Sequence, residues 1–253
     1  MALLTAEKLN KTFRGGDREF KALDDVCLTV GEGECVALIG ESGSGKTTVA
    51  RVIAGLTAPD SGVLTYDGFT LTDAKCRPSA RNSMQMVFQD PYGSFSPRMR
   101  LGAGIREGLV YLTRLSAAEQ EKQVDAAMER VGLPLSYKRK YVFEVSGGES
   151  QRAAIARAIL SGPKLLICDE ITSALDASIH EQIIALLGEL QKELNMALLF
   201  ISHDIRLVRN FSDRVYVMQG GRIVEVGETA KLFEDPQEPY TKNLIRSAWL
   251  IGE

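Results

Sequence analysis

One stretch of the sequence constrains the fold more than any other. Gly40-Glu41-Ser42-Gly43-Ser44-Gly45-Lys46-Thr47 fits the pattern G-x-x-x-x-G-K-[ST] at every fixed position. It follows the apolar run Cys35–Ile39 and precedes a helical pattern over residues 47–54, so a strand, a tight loop and a helix are predicted in that order. Such a loop wraps its backbone N–H groups around an anion, and glycines permit the wrap without a Cβ in the way. Helix onset at Lys46 aims the positive end of the helix dipole at the same anion. Lys46 then reaches the β- and γ-phosphates of a nucleotide, and the Thr47 hydroxyl is placed to ligate Mg²⁺, with Thr48 ending the binding stretch.

The loop calls for a partner carboxylate at the end of another buried strand. Lys164-Leu165-Leu166-Ile167-Cys168-Asp169-Glu170 supplies one, with apolar residues running into two acids. Asp169 would hold Mg²⁺ through its water shell, and Glu170, one residue on, is placed to polarise an attacking water. Alone, the acidic pair reads equally well as a solvated strand end. Beside the phosphate loop, the catalytic reading prevails.

Short apolar runs at residues 34–39, 84–88, 164–168, 197–201 and 214–218 alternate with helical patterns and predict an α/β core with a largely parallel sheet. Residues 116–131 predict a helix. Ser116 and Glu119 form a capping box, and Val124, Ala127, Met128 and Val131 share a face. A second helix is expected over about 178–194, on the stripe Ile179, Ile183, Leu186, Leu187, Leu190 and Leu194. Residues 1–25 and 62–68 read as antiparallel strands with turns at Gly15-Gly16 and Asp67-Gly68. The block from about 90 to 144 shows two helical patterns, Pro91, Pro97 and no convincing strand, and reads as a helical insertion. Pro236, Pro239 and a short helix around 240–249 close the chain.

With 30 basic and 33 acidic side chains, the net charge is −3, which argues against a protein whose main task is coating nucleic acid or an anionic bilayer. No apolar run approaches the ~18–20 residues of a membrane span, and the N-terminus lacks a secretory core, so a cytosolic chain is expected. Cys27, Cys35, Cys76 and Cys168 lack Cys-x-x-Cys spacing, and only His180 and His203 accompany them. Reduced, mostly buried thiols are expected rather than a zinc site.

Five further segments stand in the order found in ATP-binding cassette (ABC) ATPases, which the chain resembles over nearly its whole length. Val145-Ser146-Gly147-Gly148-Glu149, followed by Gln151-Arg152, resembles the cassette signature. Gln89 resembles the glutamine that meets the nucleotide's metal and couples it to the membrane partner. Ser173-Ala174-Leu175-Asp176 resembles the loop that crosses the dimer interface, His203 the switch histidine, and Phe13 the aromatic that stacks on adenine, with Phe20 competing for that place. Each has a plainer reading: a core histidine, a strand-end amide, a helix cap, a core aromatic.

The resemblance implies a P-loop NTPase of ABC ATPase fold: a RecA-like mixed sheet, an antiparallel β-subdomain and an inserted helical subdomain. One domain would span 1–253, with the ATP-binding core at 1–89 and 161–231, the helical subdomain at 90–160 and a tail at 232–253. Gly40 to Thr48, Phe13 and Gln89 would bind ATP; Thr47, Gln89 and Asp169 would serve Mg²⁺; Glu170, His203 and Lys46 would be catalytic. Ser146, Gly147, Gly148 and Glu149 would meet the γ-phosphate held by the opposite subunit, so two cassettes close head to tail over two ATP molecules, with Asp176 at their interface. Glutamate replaces the family's usual glutamine at 149. Its charge would be unfavourable there unless it points away or pairs with a base such as Arg152.

Residues 89–98 and the tail Glu234-Asp235-Pro236-Gln237-Glu238-Pro239-Tyr240-Thr241-Lys242-Asn243-Leu244 resemble the peptide and nickel importer branch, most closely the shorter ATPase of a two-ATPase pair. The likeness implies two membrane permeases, a second cassette (sister or self), an extracytoplasmic solute-binding protein and no nucleic acid. It also implies a peripheral place on the cytoplasmic face of the membrane, cargo of peptide, nickel or metal-chelate type, and a groove around 90–108 for a permease coupling helix. No iron–sulfur centre is expected, because the tail lacks the cysteines. Thr47 and Ser146 are only 99 positions apart, too close for the coiled coil of a chromosome ATPase. The remaining alternative is a soluble or non-catalytic cassette, whose mark would be loss of Glu170 or His203; both are present.

Overall fold

The computed structural model describes residues 2–15, 18–72, 81–173 and 175–250. The chain opens with a long hairpin, β1 (Ala2–Gly15) and β2 (Arg18–Gly31), and continues through β3 (Cys35–Ile39) into the phosphate loop and α1 (Lys46–Ile53). Strands β4 (Ser61–Tyr66) and β5 (Phe69–Thr70) are joined by Asp67 and Gly68, both at positive φ (49° and 78°), the backbone of a two-residue type I′ hairpin turn. After β6 (Met84–Val87) come the helices α2 (Leu101–Leu112), α3 (Ala117–Arg130) and α4 (Gly147–Ile159). Then β7 (Leu165–Asp169), α5 (Ala177–Leu194), β8 (Ala197–Ile201), α6 (Ile205–Phe211) and β9 (Arg214–Gln219) alternate. The end is β10 (Arg222–Glu228), α7 (Thr229–Glu234) and α8 (Pro239–Leu250).

Two sheets form. One is antiparallel, in the order β2-β1-β4-β5; the other runs β10-β9-β3-β8-β7-β6, parallel except for its edge strand β10. This is the mixed α/β architecture expected. Strand periodicity explains how the sheets are covered. Along β3, Cys35, Ala37 and Ile39 enter one core with residues of α2 to α5, while Val36 and Leu38 enter a second core with α1 and the antiparallel sheet. Strands buried on both faces must be apolar throughout, which is why β3, β7 and β8 are nearly continuous hydrophobic runs.

The capping box of α3 is present: Ser116 Oγ accepts from the Glu119 N–H at 3.4 Å and the Glu119 carboxylate accepts from the Ser116 N–H at 2.8 Å. Within α5, Ile183, Leu186, Leu187 and Leu190 are buried, and Ile179 and Leu194 pack at the margin of the core. Among the cysteines, Cys35 and Cys168 are buried as expected, but Cys27 is exposed because its side of β2 faces outward; Cys76 lies outside the described residues. Among the described residues, no helix is long and apolar enough to cross a membrane.

Candidate nucleotide site

Parallel pairing brings the carboxyl ends of β3, β8 and β7 to one edge of the sheet, with β8 between the other two. The loop after β3, His203 after β8 and Asp169-Glu170 at the end of β7 therefore meet there, although they come from three distant parts of the sequence. Ligands of open α/β sheets bind at this edge.

In the phosphate loop, close packing adds a second demand for glycine. A Cβ at Gly40 (φ 154°) would lie 2.2 Å from the Met218 carbonyl oxygen, and one at Gly45 (φ 111°) 2.5 Å from the Ala22 carbonyl oxygen. Both neighbours are backbone and cannot give way. Lys46 folds back over the loop, its Nζ donating to the carbonyl oxygens of Gly40 (2.9 Å) and Glu41 (3.0 Å). Its side chain is only 4% exposed, with Glu170 Oε1 at 3.7 Å. Burial pulls the Lys46 ammonium below its ordinary pKa, partly opposed by the Glu170 charge. The result is a desolvated cation held at the loop by two carbonyl oxygens and one nearby carboxylate.

Thr47 Oγ1 donates to Asp169 Oδ1 at 3.2 Å, and burial raises the Asp169 carboxyl above its usual range despite that bond. A hydroxyl and a desolvated carboxylate side by side form the hard oxygen donor set that Mg²⁺ takes. Glu170 is the hub. His203 Nδ1 lies 3.7 Å from its Oε2, Gln89 Nε2 is within 3.4 Å of the same oxygen, and Gln89 also donates to Ser173 Oγ at 3.0 Å. The Glu170 backbone has φ 49°, a left-handed conformation uncommon for a side chain of this size. Its N–H donates to the Ile201 carbonyl (2.9 Å) and its own carbonyl accepts from Ser173 Oγ (2.9 Å).

The signature residues stand elsewhere, at the start of α4. Ser146 is its N-cap: its Oγ accepts from the Glu149 N–H at 3.3 Å, and the Glu149 carboxylate accepts from the Ser146 N–H at 2.8 Å. Glu149 also accepts from the Tyr137 hydroxyl at 2.9 Å, so its charge is folded back onto its own helix end. It does not pair with Arg152, whose guanidinium donates to the Val131 carbonyl and to Gln182 instead. The backbone bond from Ser146 holds the Glu149 carboxyl below its usual range. A Cβ on Gly148 would come within 2.9 Å of Ile179 Cγ2, so the signature helix abuts the first turn of α5. Asp176 occupies the N-cap position of α5, but its side chain makes no capping bond and is exposed. Phe13 (44% exposed) and Phe20 (57%) face each other across β1 and β2, which leaves both aromatics open to solvent.

Three contacts of this site had no signal in the sequence. Tyr137 bonds Glu149, Tyr92 donates to the Val145 carbonyl at 3.3 Å, and the Tyr240 hydroxyl accepts from the Glu41 N–H at 3.1 Å. A separate cleft of about 400 Å³ opens between the core and α2, lined by Leu56, Met84, Met86, Phe88, Glu107 and Tyr111 among others. It shares Glu107 and Gly108 with the expected groove but otherwise draws on the core, on Tyr111 further along α2 and on the end of α4.

The ABC transporter family profile matches residues 23–173. The oligopeptide transport ATP-binding protein OppF of Haemophilus influenzae is 44% identical over 228 residues, covering 89% of this chain and 69% of that protein. Among solved structures, cbiO1 of Clostridium perfringens, part of the ABC transporter complex cbiONQ, superposes with a TM-score of 0.81 at 32% identity, covering 98% of this chain and 95% of that one. A dimeric ATP-binding cassette in a post-hydrolysis state with ADP and Pi gives a TM-score of 0.80 at 26% identity, over 89% of this chain and 98% of the other.

Proposed function

The chain belongs to the ABC transporter family, and from that premise we propose that it is the ATP-hydrolysing subunit of a membrane importer for peptides or chemically similar solutes. One observation carries the catalytic part: Lys46, Glu170, His203 and Gln89 converge at a single strand edge beside the phosphate loop. The peptide cargo rests on the relative named for oligopeptide transport.

In this reading ATP enters with its phosphates in the Gly40–Thr48 loop and its adenine against Phe13 or Phe20. Lys46 leaves the Gly40 and Glu41 carbonyls for the phosphate oxygens, exchanging two neutral acceptors for an anion. Thr47 and Asp169 fit Mg²⁺, with Gln89 adjacent; bound there, the ion would neutralise phosphate charge. Glu170 accepts a proton from the attacking water, and His203 contacts the γ-phosphate. The free N–H groups at the start of α4 and the Ser146 hydroxyl, whose oxygen is already occupied by the Glu149 N–H, meet the γ-phosphate of a second cassette. Asp176 faces the same interface. Neither cassette then completes a site alone, and the loss of the γ-phosphate on hydrolysis releases the pair.

The cleft beside α2 is the place for a permease's coupling helix. Leu56 (59% exposed) and Tyr111 (81%) stand open at it, flanked by Met84, Met86 and Phe88. Such docking puts the chain on the cytoplasmic face of the membrane. Affinity purification from native membranes, followed by mass spectrometry, tests the reading. Two permeases, a sister cassette and a solute-binding protein are expected in the eluate. Recovery of soluble partners alone, with ATPase activity in the membrane-free fraction, would refute the transport role.

A further inference from the structure

We propose that the C-terminal helix α8 is a buttress for the phosphate loop, and that Tyr240 is the positioning residue through which it acts. The Tyr240 hydroxyl accepts the Glu41 N–H across 199 positions of sequence, at 3.1 Å. Glu41 is also the residue whose carbonyl Lys46 holds from the other side, at 3.0 Å. When phosphate draws Lys46 away, the loop loses two tethers at Gly40 and Glu41. The bond to Tyr240 remains, and it keeps the first peptide of the loop from swinging into the space the phosphates need.

A tether is useful only if its own base is fixed, and this one is anchored three times. The Glu225 carboxylate on β10 accepts the N–H groups of Gln237 (2.7 Å) and Glu238 (3.2 Å), an anion set just before the first turn of α8. Thr241 and Ile245 are buried, and Tyr240 and Leu244 pack against the main core. At the far end, the Arg206 guanidinium on α6 donates to the Ala248 carbonyl at 3.2 Å. Helix α6 begins two residues after His203, so α8 touches both the loop that holds the phosphates and the helix that follows the γ-phosphate contact.

The inference rests on nucleotide binding at this loop and is independent of cargo. Its test is Tyr240→Phe in the full chain, which removes one oxygen and leaves the ring packed. ATP affinity is expected to weaken roughly three- to ten-fold, the scale of one neutral hydrogen bond. The Glu41 amide resonance should shift and its exchange quicken, while the thermal midpoint without nucleotide falls by no more than a few degrees, the scale of one lost bond. Glu225→Ala, which frees the start of α8 and leaves Tyr240 intact, should weaken ATP binding in the same direction, and it carries the test if the first variant does not fold. Unchanged ATP affinity overturns the proposal, whether or not the amide moves. A wild-type chain that binds no ATP in the same assay overturns instead the nucleotide reading beneath it.

Discussion

Replacing Glu149 by alanine removes two hydrogen bonds that meet at one carboxylate: the Ser146 N–H at 2.8 Å and the Tyr137 hydroxyl at 2.9 Å. Bonds to a charged acceptor contribute about 1.5–3 kcal/mol each in protected sites, and a lost helix cap costs about 0.5–2 kcal/mol. Glu149 is only half-buried, so water replaces part of each bond. Roughly 1 kcal/mol per bond is the reasonable share, about 2 kcal/mol for Glu149→Ala, or roughly 4–8 °C in a chain of this length. Glu149→Gln keeps an acceptor oxygen and should lose about half as much. Tyr137→Phe should cost about 1 kcal/mol, and the double variant Tyr137→Phe/Glu149→Ala less than the sum, because the same bond cannot be lost twice. The pH sign follows from the lowered carboxyl. Its stabilisation is complete above the ordinary value of 4.5 and fades as pH falls through the lower folded value, so the gap between wild type and Glu149→Gln should narrow in that acid window. Urea unfolding of wild type and the four variants measures all of this. A Glu149→Ala chain within about 0.5 kcal/mol of wild type, or full additivity with Tyr137→Phe, would refute the capping argument.

Three other outcomes are expected. Glu170→Gln should lower ATP hydrolysis by about 10²–10⁴-fold and leave ATP affinity nearly unchanged; turnover at the wild-type rate would remove Glu170 from the role of base. Asp169→Asn should raise the nucleotide-free melting temperature, because burial raises that carboxyl and the folded state therefore loses stability as pH climbs through the raised value. The same variant should lose Mg²⁺-dependent ATP binding, and a fall in its nucleotide-free melting temperature would contradict the burial argument. Gly148→Ala sets a helix-propensity gain of about 0.5–1 kcal/mol against a 2.9 Å approach to the branched, stiff Ile179. Net destabilisation of about 1–3 kcal/mol is expected, relieved by adding Ile179→Ala; a more stable Gly148→Ala would show that the two helices can part.

Legibility in the sequence followed burial and periodicity. β3, β7 and β8 are buried on both faces, so their composition alone marks them, and the Ser116 and Glu119 box marks α3 because its bonds span only three residues. Edge strand β10 escaped notice: Arg222, Glu225 and Glu228 interrupt it, and its pairing to β9 depends on a neighbour that sequence does not supply. Helix α6 has seven residues, too few for a periodic signal. In the candidate site, the residues proposed to touch phosphate are dictated by local chemistry and could be named in advance. The residues that hold them could not. Tyr137, Ser173 and Tyr240 are ordinary polar side chains whose partners are fixed by tertiary packing. For Glu149, sequence posed the question of where the charge goes, and only the fold places it against Tyr137.

The left-handed backbone at Glu170 sets two kinds of selection against each other. A side chain in that conformation costs on the order of 1–2 kcal/mol relative to glycine, and the structure sustains it with the Glu170 N–H donating to the Ile201 carbonyl and the Ser173 hydroxyl donating to the Glu170 carbonyl. A randomised library of this chain sorted only for folded yield should drift at position 170 towards glycine or asparagine, which accept the geometry readily. The same library sorted for ATP turnover should return to glutamate, so a residue that strains the turn is the one that turnover retains.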